Sequence, residues 1–359
     1  MRILFLPRYS PQGASSRYRI WQYVPLLQRA GHKVEVQPLL GDGYLEELYR
    51  NGRRGVSWLI SGYTKRLRAI RNAPSFEVVV CEQEILPLLP ATVDLFLLAC
   101  NDRLVIDYDD AAYFKYQGWP VLRRKIPRLM GAAKAVVVGN SHLARYASQF
   151  ASNIFVVPSV VNLALYQDCS RERVAANVRI VWIGTPLTAS LVAPLLSLMA
   201  KLQEKHADVS FRFIGAGEDF PVNGLRAEVF EWSEKTEAEL LAQCHIGIMP
   251  LPDNEFTRAK CGLKLIQYMA SGLPVVASPV GANREIVTDN ENGFLVKTEQ
   301  EWFEKLSLLI EHPELRAQMG QAGRARVAER YTLERGFSKW LEILTSIGQP
   351  AGNCALPRV

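Results

Sequence analysis

Three basic side chains lie close together in one short polar stretch of this sequence. Arg258, Lys260 and Lys264 flank Gly262, just after an apolar run at residues 245–249. Positive groups beside a glycine, whose backbone a ligand can approach closely, suit a phosphate-bearing ligand. If a diphosphate leaves during a reaction, such cations stabilise its growing charge, by ~3 kcal/mol for one well-placed contact. The alternative is that they are ordinary solvated loop cations.

The residues around these cations predict a strand, a polar loop, a helix, a strand and a second polar loop. The helix is expected at 263–270 with Gly272 as the glycine after its end, and the next buried strand at 273–277. The second loop ends at Glu285. Loops of this kind lie at the carboxyl ends of parallel strands, where ligands bind. Glu285 is therefore a candidate, unless it is only a charge favoured by a helix dipole.

Short apolar runs alternate with helical patterns along the whole chain, and this alternation predicts two doubly wound parallel sheets. Strands are expected at 2–6, 33–36, 77–81, 103–107, 135–139 and 154–157, and again at 179–183, 210–214, 228–232, 246–249 and 275–277. The polar stretch at 167–177 is the expected linker. The predicted domains are residues 1–166 and 178–330, with a final helix at 331–347.

The string GLKLIQYMASGLPVVAS, from Gly262 to Ser278, resembles the C-terminal half of family-four retaining glycosyltransferases. VGANREIV from Val280 and NGFLV from Asn292 follow in the family's order. A subgroup with Lys-Cys-Gly-x-Lys-Leu and Trp-Ile-Gly-Thr-Pro patterns is most similar. The resemblance implies the GT-B fold, with two Rossmann-like domains facing a cleft, the acceptor on the first and a nucleotide-sugar donor on the second. It also implies that the final helix crosses back to the first domain and that no metal cofactor is required.

The sequence departs from the family pattern at several donor-side positions. Ala259 and Gln267 stand where the family has two glutamates, and Gly184-Thr185 stands where it has an arginine and a lysine. We expect Gln267 to bond ribose hydroxyls and the three loop cations to replace the missing ones. Trp232 is expected to contact the base or to be buried core. The predicted donor-binding residues are Gly184, Thr185, Trp232, Arg258, Lys260, Gly262, Leu263, Gln267 and Glu285.

The first half offers two further candidate groups. In the segment after the first strand, Gly13 permits close approach, and Arg17 and Arg19 are expected to hold acceptor or donor phosphate; the alternative is helix capping by Ser15 or Ser16 with solvated arginines. Asp109 and Asp110 follow a predicted strand, where a carboxylate would orient an acceptor hydroxyl and take up its proton. Asp110 is alternatively a helix N-cap. With Lys264, these two aspartates form the predicted catalytic set.

The composition argues against a disulfide-bonded, a membrane-spanning or a nucleic-acid-binding protein. The chain has 359 residues, 48% of them hydrophobic, and its six cysteines show no CxxC pair, which favours reduced thiols in a cytosolic protein. It begins directly with a strand, so no signal peptide is expected, and no run is long enough for a membrane span. The net charge of +6 comes without a nucleic-acid-binding module.

Basic residues gather in the first half and suggest an anionic membrane surface as a partner. One cluster holds Arg50, Arg53, Arg54, Lys65, Arg66, Arg68 and Arg71, interleaved with Trp58, Leu59, Ile60, Tyr63 and Leu67; a second holds Arg123, Arg124, Lys125 and Arg128. Such a surface would rest on anionic lipid. The alternative is an ordinary solvated helix face.

The sequence therefore predicts a glycosyltransferase of bacterial polysaccharide, lipopolysaccharide or capsule assembly, cytoplasmic or peripheral on the inner face of the plasma membrane. It would move a sugar from a nucleotide-sugar donor to a hydroxyl of a glycan or lipid-linked acceptor. Two alternatives stay open: a nucleotide-sugar epimerase of the same fold, and a non-catalytic protein that binds nucleotide sugar or a partner subunit.

Overall fold

A computed structural model describes residues 1–51, 55–99, 101–166, 177–222 and 224–348. The chain divides into two compact units. The first contains the described residues up to Val157, except 49–51, together with the end of the chain from Gly336. The second contains Pro158–Arg335.

The first unit is built on a six-stranded parallel sheet in the order β2-β1-β3-β4-β5-β6. Its strands are β1 Arg2–Leu6, β2 Lys33–Val36, β3 Val78–Glu82, β4 Leu104–Tyr108, β5 Ala135–Val138 and β6 Ile154–Val156. Its helices are α1 Ala14–Arg19, α2 Val24–Arg29, α3 Asp42–Asn51, α4 Val56–Arg71, α5 Ala91–Leu98, α6 Lys125–Ala132 and α7 Ser141–Ala147. Every residue of β3, β4 and β5 is buried, because helices connect parallel strands and cover both faces of the sheet.

The second unit repeats this architecture with the strand order β12-β11-β10-β7-β8-β9. Its strands are β7 Val178–Ile183, β8 Val209–Ile214, β9 Ala227–Phe230, β10 Ile246–Met249, β11 Val275–Ala277 and β12 Gly293–Leu295. Its helices are α8 Leu196–Lys205, α9 Glu237–Ala242, α10 Glu255–Arg258, α11 Leu263–Ala270, α12 Asn283–Ile286, α13 Glu299–Glu311 and α14 Pro313–Arg330, before the last helix, α15 Leu333–Gly348. All strand pairs are parallel.

The two parallel doubly wound sheets confirm the predicted fold class. Helix α11 has the predicted bounds, and its glycine at 272 has φ of +70°, a left-handed conformation that favours glycine. Two 3₁₀ turns, at Pro186–Leu191 and Ala193–Leu195, precede α8. Each of these turns has a proline in its first positions, which removes a backbone donor.

The ends of the units differ from the predicted boundaries. The second unit begins at Pro158 rather than after residue 166, because Val161 bridges to Thr332 and the Tyr166 hydroxyl donates to Glu237. Of the predicted linker, residues 167–176 lie outside the described part of the chain. Most of α15 belongs to the first unit, where Trp340 packs against Phe5 and Tyr23.

Candidate functional site

Lys264 lies in the first turn of α11 at the carboxyl edge of the second sheet. Its ammonium lies 4.0 Å from the centroid of the buried Trp182 ring, a cation–π contact. Burial, and then the nearby Lys260 ammonium, hold the pKa of Lys264 well below its usual range. Within the described residues no carboxylate forms an ion pair with it. An anion bound here would favour the charged amine.

Two closely packed glycines, Gly184 and Gly215, lie beside this amine. A Cβ on Gly184 would lie 2.3 Å from the Trp182 ring and 2.8 Å from Lys264 Nζ. A Cβ on Gly215, whose φ is +73°, would lie 2.4 Å from the Gly184 carbonyl oxygen. We call these two residues the glycine floor. Gly184 is half-buried and Gly215 is buried, so close packing leaves no room for a side chain at either position.

The neighbouring Thr185 is hydrogen-bonded to Thr188 within a local turn. Its amide donates to Thr188 Oγ1 over 3.0 Å, and the two threonine hydroxyls lie 3.3 Å apart. The structure therefore places Thr185 next to the glycine floor, with its hydroxyl in a local turn.

The two polar loops predicted near Lys264 pack directly on each other. A Cβ on Gly281 would lie 2.3 Å from the Arg258 carbonyl oxygen, and one on Gly262 would lie 2.3 Å from Ile286 Cδ1. Gly262 takes φ of +68° as the N-cap of α11. Leu263 follows as a half-buried first residue of the helix. The helix N-terminus thus carries its partial positive charge next to Lys264.

The other predicted charges of these loops lie on the surface or against an aromatic ring. Arg258 is exposed, and its Nε donates to Asp253 over 2.6 Å. The Lys260 ammonium lies 4.7 Å from the Phe256 ring centroid. Glu285 is exposed in the short helix α12. Of the three predicted cations, Lys264 is the one set into the glycine floor.

Gln267 and Trp232 meet at a residue that sequence reasoning missed. Glu237 Oε1 accepts from Gln267 Nε2 over 2.6 Å, and Oε2 accepts from Trp232 Nε1 over 2.6 Å. Gln267 is buried, so its amide nitrogen is bonded inside the protein rather than presented to a ribose. Trp232 is half-buried, with its Cβ 3.0 Å from the Cβ position of Gly215. No local pattern could reveal Glu237, because Gln267 lies far along the chain.

The first unit corrects the prediction for Arg19. Its guanidinium is buried and forms a bidentate ion pair with Asp107, at 2.8 Å and 2.5 Å, and also donates to the Val157 carbonyl. It is therefore committed to the core rather than available to a phosphate. Arg17 is also buried, donating to the Pro11 carbonyl over 3.3 Å with its guanidinium over the Tyr18 ring.

The serines of α1 bind a buried carboxylate instead of capping the helix. Ser15 donates to Glu82 Oε1 over 2.6 Å, and Ser16 donates to Oε2 over 2.5 Å. Gly13 is the N-cap, and a Cβ there would lie 2.4 Å from Tyr9 Cβ. Burial, and then the Asp109 carboxylate, raise the pKa of Glu82 to about 7.

Asp109 and Asp110 follow β4 as predicted, and both are half-buried. Gln83 Nε2 donates to Asp110 Oδ1 over 3.2 Å, while Arg8 Nη1 donates to Gln83 Oε1 over 2.6 Å. Gln83 has φ of +61°, a strained conformation for this residue type. Asp110 does not cap the following 3₁₀ helix at Ala112–Tyr116, whose N-cap position is Ala111.

Two members of the predicted basic clusters are buried. Arg66 donates to the carbonyls of Leu6, Pro7 and Gln37, and burial lowers its pKa to about 10. Lys125 forms ion pairs with Glu84 and Asp94, each at 2.9 Å. Arg53 and Arg54 lie outside the described residues. Of the clustered cations, Lys65, Arg68, Arg71, Arg123, Arg124 and Arg128 are exposed.

The described cysteines are buried, and the described acidic groups are not clustered for metal binding. Cys81, Cys244 and Cys261 are buried thiols; Cys100, Cys169 and Cys354 lie outside the described residues. In the described part of the chain, no three His, Cys, Asp or Glu side chains are grouped to hold a metal ion. No helix there is long and apolar enough to cross a membrane.

Comparison with known proteins finds a family match within the second unit. Residues 177–312 match the family model described as glycosyl transferases group 1. This segment, just over a third of the chain, is similar to that family. Trehalose synthase from Pyrococcus horikoshii is 27% identical over 168 residues, which cover 43% of this chain and 40% of that protein. The chain thus matches less than half the length of this relative.

Solved structures share the fold of nearly all of the chain. Sucrose-phosphate synthase from Thermosynechococcus elongatus has a TM-score of 0.72 at 16% identity, covering 97% of this chain and 99% of the other. HepE from Anabaena, in complex with UDP and glucose, has a TM-score of 0.69 at 18% identity, covering 96% and 100%. These likenesses confirm the GT-B architecture of the two units.

Proposed function

We propose that this protein is a retaining glycosyltransferase of family four that moves a sugar from a nucleotide-sugar donor to a hydroxyl acceptor. The bond between the anomeric carbon and the terminal phosphate oxygen breaks, and a bond to the acceptor oxygen forms. The nucleoside diphosphate leaves with the electron pair, and the acceptor proton passes to a carboxylate. The setting we propose is polysaccharide, lipopolysaccharide or capsule assembly.

The observation that carries this proposal is Lys264. Its ammonium has no carboxylate ion-pair partner among the described residues, yet it lies beside the glycine floor and a helix N-terminus. A diphosphate placed there would meet a fixed cation and helix dipole, and both favour the charge that grows as the sugar departs. The UDP and glucose bound to HepE support a ligand of this class.

On the first unit, we propose that Asp109 and Asp110 receive the acceptor. Both are half-buried at the end of β4, and Asp110 is held by Gln83 in its strained conformation. A carboxylate fixed in this way would orient a sugar hydroxyl and take up its proton. Arg17 and Arg19 have no ligand role in this proposal. We propose that the reaction needs no metal cofactor.

The test is acceptor-dependent turnover. Purified protein is incubated with UDP-, GDP- and ADP-sugars, with and without an oligosaccharide or polyprenyl-linked glycan acceptor. We expect one donor to release nucleoside diphosphate many times faster when the acceptor is present. Isomerised donor without acceptor would instead indicate an epimerase. Tight donor binding with no turnover under any condition would favour the non-catalytic alternative, and no binding of any nucleotide would reject the proposal.

We further propose that the first unit docks on an anionic membrane. Helix α4 exposes Ile60 and Leu67, at 63% and 44%, on the same side of the helix, and the turn before α6 exposes Trp119 and Val121, at 57% and 74%. The exposed cations named above flank both sets. Apolar side chains next to unopposed basic ones suit the interface of anionic lipids.

Vesicle flotation tests this docking. With phosphatidylglycerol vesicles at low salt we expect the protein to float with the vesicles. With phosphatidylcholine vesicles we expect it to remain in the bottom fraction. Neutralising Lys65, Arg68 and Arg71 to glutamine should weaken flotation, whereas the same change at Lys201, Lys297 and Lys305 of the second unit should not. Absence of binding to anionic vesicles at any salt concentration would reject the docking surface.

A further inference from the structure

Glu237, the first residue of α9, is the centre of a buried hydrogen-bond network. Its Oε1 accepts from the Tyr166 hydroxyl over 2.7 Å and from Gln267 Nε2 over 2.6 Å, and its Oε2 accepts from Trp232 Nε1 over 2.6 Å. The carboxyl side chain is 5% exposed. One carboxylate thus connects the segment after β9, helix α11 and the segment that begins the second unit.

The chemistry of these donors explains why an acid is needed there. The indole nitrogen of Trp232 can only donate, and the amide nitrogen of Gln267 does the same. A carboxylate offers acceptors in both directions, and bonds to a charged acceptor are roughly twice as strong as neutral ones. The bond to Nε1 also fixes the rotation of the half-buried indole ring.

This network adjoins the proposed phosphate site through the glycine floor. Lys264 Nζ lies near the Cβ position of Gly184, and Trp232 Cβ lies near the Cβ position of Gly215. Gln267 lies on the same helix as Lys264, one turn later. The Lys264 amine and the Trp232 side chain therefore each contact one of the two glycines of the floor, and these two glycines contact each other.

We propose that Glu237 is a positioning residue for the nucleoside half of the donor. It holds the Trp232 indole so that a planar base packs against the ring while the diphosphate lies at Lys264. Its carboxylate touches no ligand and acts through Trp232 and Gln267. This inference rests on the proposed function, because it requires the donor to be a nucleotide.

The experiment compares two affinities by calorimetry: that of the best-bound nucleoside diphosphate among UDP, GDP and ADP, and that of inorganic pyrophosphate. Their ratio isolates the contribution of the nucleoside. In Glu237→Ala we expect this ratio to fall about tenfold, the effect of losing one strong hydrogen bond. The affinity for pyrophosphate should stay within about twofold of wild type. Glu239→Ala, on the exposed side of the same helix, is the matched control and should keep the ratio.

Two more variants separate positioning from simple stability. Glu237→Gln keeps only one acceptor oxygen for these donors, so we expect it to lower the ratio by less than Glu237→Ala does. Trp232→Phe keeps an aromatic ring but loses the N–H, so it should lower the ratio as Glu237→Ala does, and the double variant should lose no more. Trp232→Phe changes a half-exposed side chain, so it tests the same bond if Glu237→Ala does not fold.

Distinct outcomes overturn distinct claims. If Glu237→Ala weakens pyrophosphate and nucleotide binding by the same factor, Glu237 supports the structure only and the inference is wrong. An unchanged ratio in both Glu237→Ala and Trp232→Phe would also refute it. If the wild-type protein binds no nucleoside diphosphate more tightly than pyrophosphate, the proposed function itself fails.

Discussion

The carboxyl edges of the two sheets both collect charged residues, but they use them differently. In the first unit, Arg19 and Asp107 pair with each other in the core, and Glu82 accepts from two serines. In the second unit, Lys264 lies on an aromatic ring beside the glycine floor, with no carboxylate ion-pair partner among the described residues. This difference shows that a basic residue at the carboxyl edge of a sheet indicates a ligand site only when no carboxylate of the protein already forms an ion pair with it.

Removing one member of the buried Arg19–Asp107 ion pair should have the largest effect, a loss of folding stability. Arg19→Met leaves Asp107 buried, and burial already raises the pKa of that carboxyl. We expect the free energy of unfolding to fall by about 3–5 kcal/mol, measured by urea denaturation. The double variant Arg19→Met/Asp107→Leu should recover most of the loss, and exposed Arg145→Met should change little. A loss below about 1 kcal/mol would mean that the pair is not buried as described.

Adding a methyl group at Gly184 of the glycine floor should weaken nucleoside diphosphate binding. In Gly184→Ala the new Cβ would lie 2.3 Å from the Trp182 ring and 2.8 Å from Lys264 Nζ, so both must move. We expect nucleoside diphosphate affinity to fall by about 1–3 kcal/mol, measured by calorimetry. Gly118→Ala is the control, because a Cβ there meets nothing within 4 Å. Unchanged affinity in Gly184→Ala would show that the ligand does not use this floor.

The buried carboxyl of Glu82 should make stability depend on pH. Its pKa is raised from 4.5 to about 7, so the folded state holds the proton more tightly than the unfolded chain. The resulting stabilisation is complete below about pH 4.5 and is lost as the pH rises to about 7. In Glu82→Gln we expect this dependence between pH 5 and 7 to flatten, measured as thermal midpoint against pH. An unaltered slope would contradict the assignment.

Removing the exposed cation near Lys264 should have the smallest effect. Arg258 is paired with Asp253 at the surface, where solvent screens ion pairs and they contribute little. We expect Arg258→Ala to weaken nucleoside diphosphate binding by at most about threefold in calorimetry at physiological salt. A hundredfold loss would show that Arg258 leaves Asp253 and binds the phosphates directly.

Local sequence signals were sufficient for the fold and for the helix that carries Lys264. The apolar runs predicted both sheets, and the glycine at 272 marked the end of α11, because these signals depend on neighbours in the chain. The same string placed Lys264 in the first turn of that helix.

Roles that depend on contacts with residues far along the chain could not be predicted from the sequence. Arg66 and Lys125 carry the same charge as their exposed neighbours, and only packing against carbonyls or acids shows that they are structural. Likewise, Gln267 has a polar side chain suited to a ribose until Glu237 is found to bind it. The sequence separation of such pairs hides them from any local pattern.

Binding of a nucleoside diphosphate to Lys264→Met is the most direct test of the account. Calorimetry should show the wild-type protein binding UDP, GDP or ADP and the variant binding the same ligand about a hundredfold more weakly, since one preorganised cation contributes ~3 kcal/mol. Exposed Lys297→Met should bind like wild type. Equal affinity in Lys264→Met and wild type would contradict the proposal that this amine holds the diphosphate.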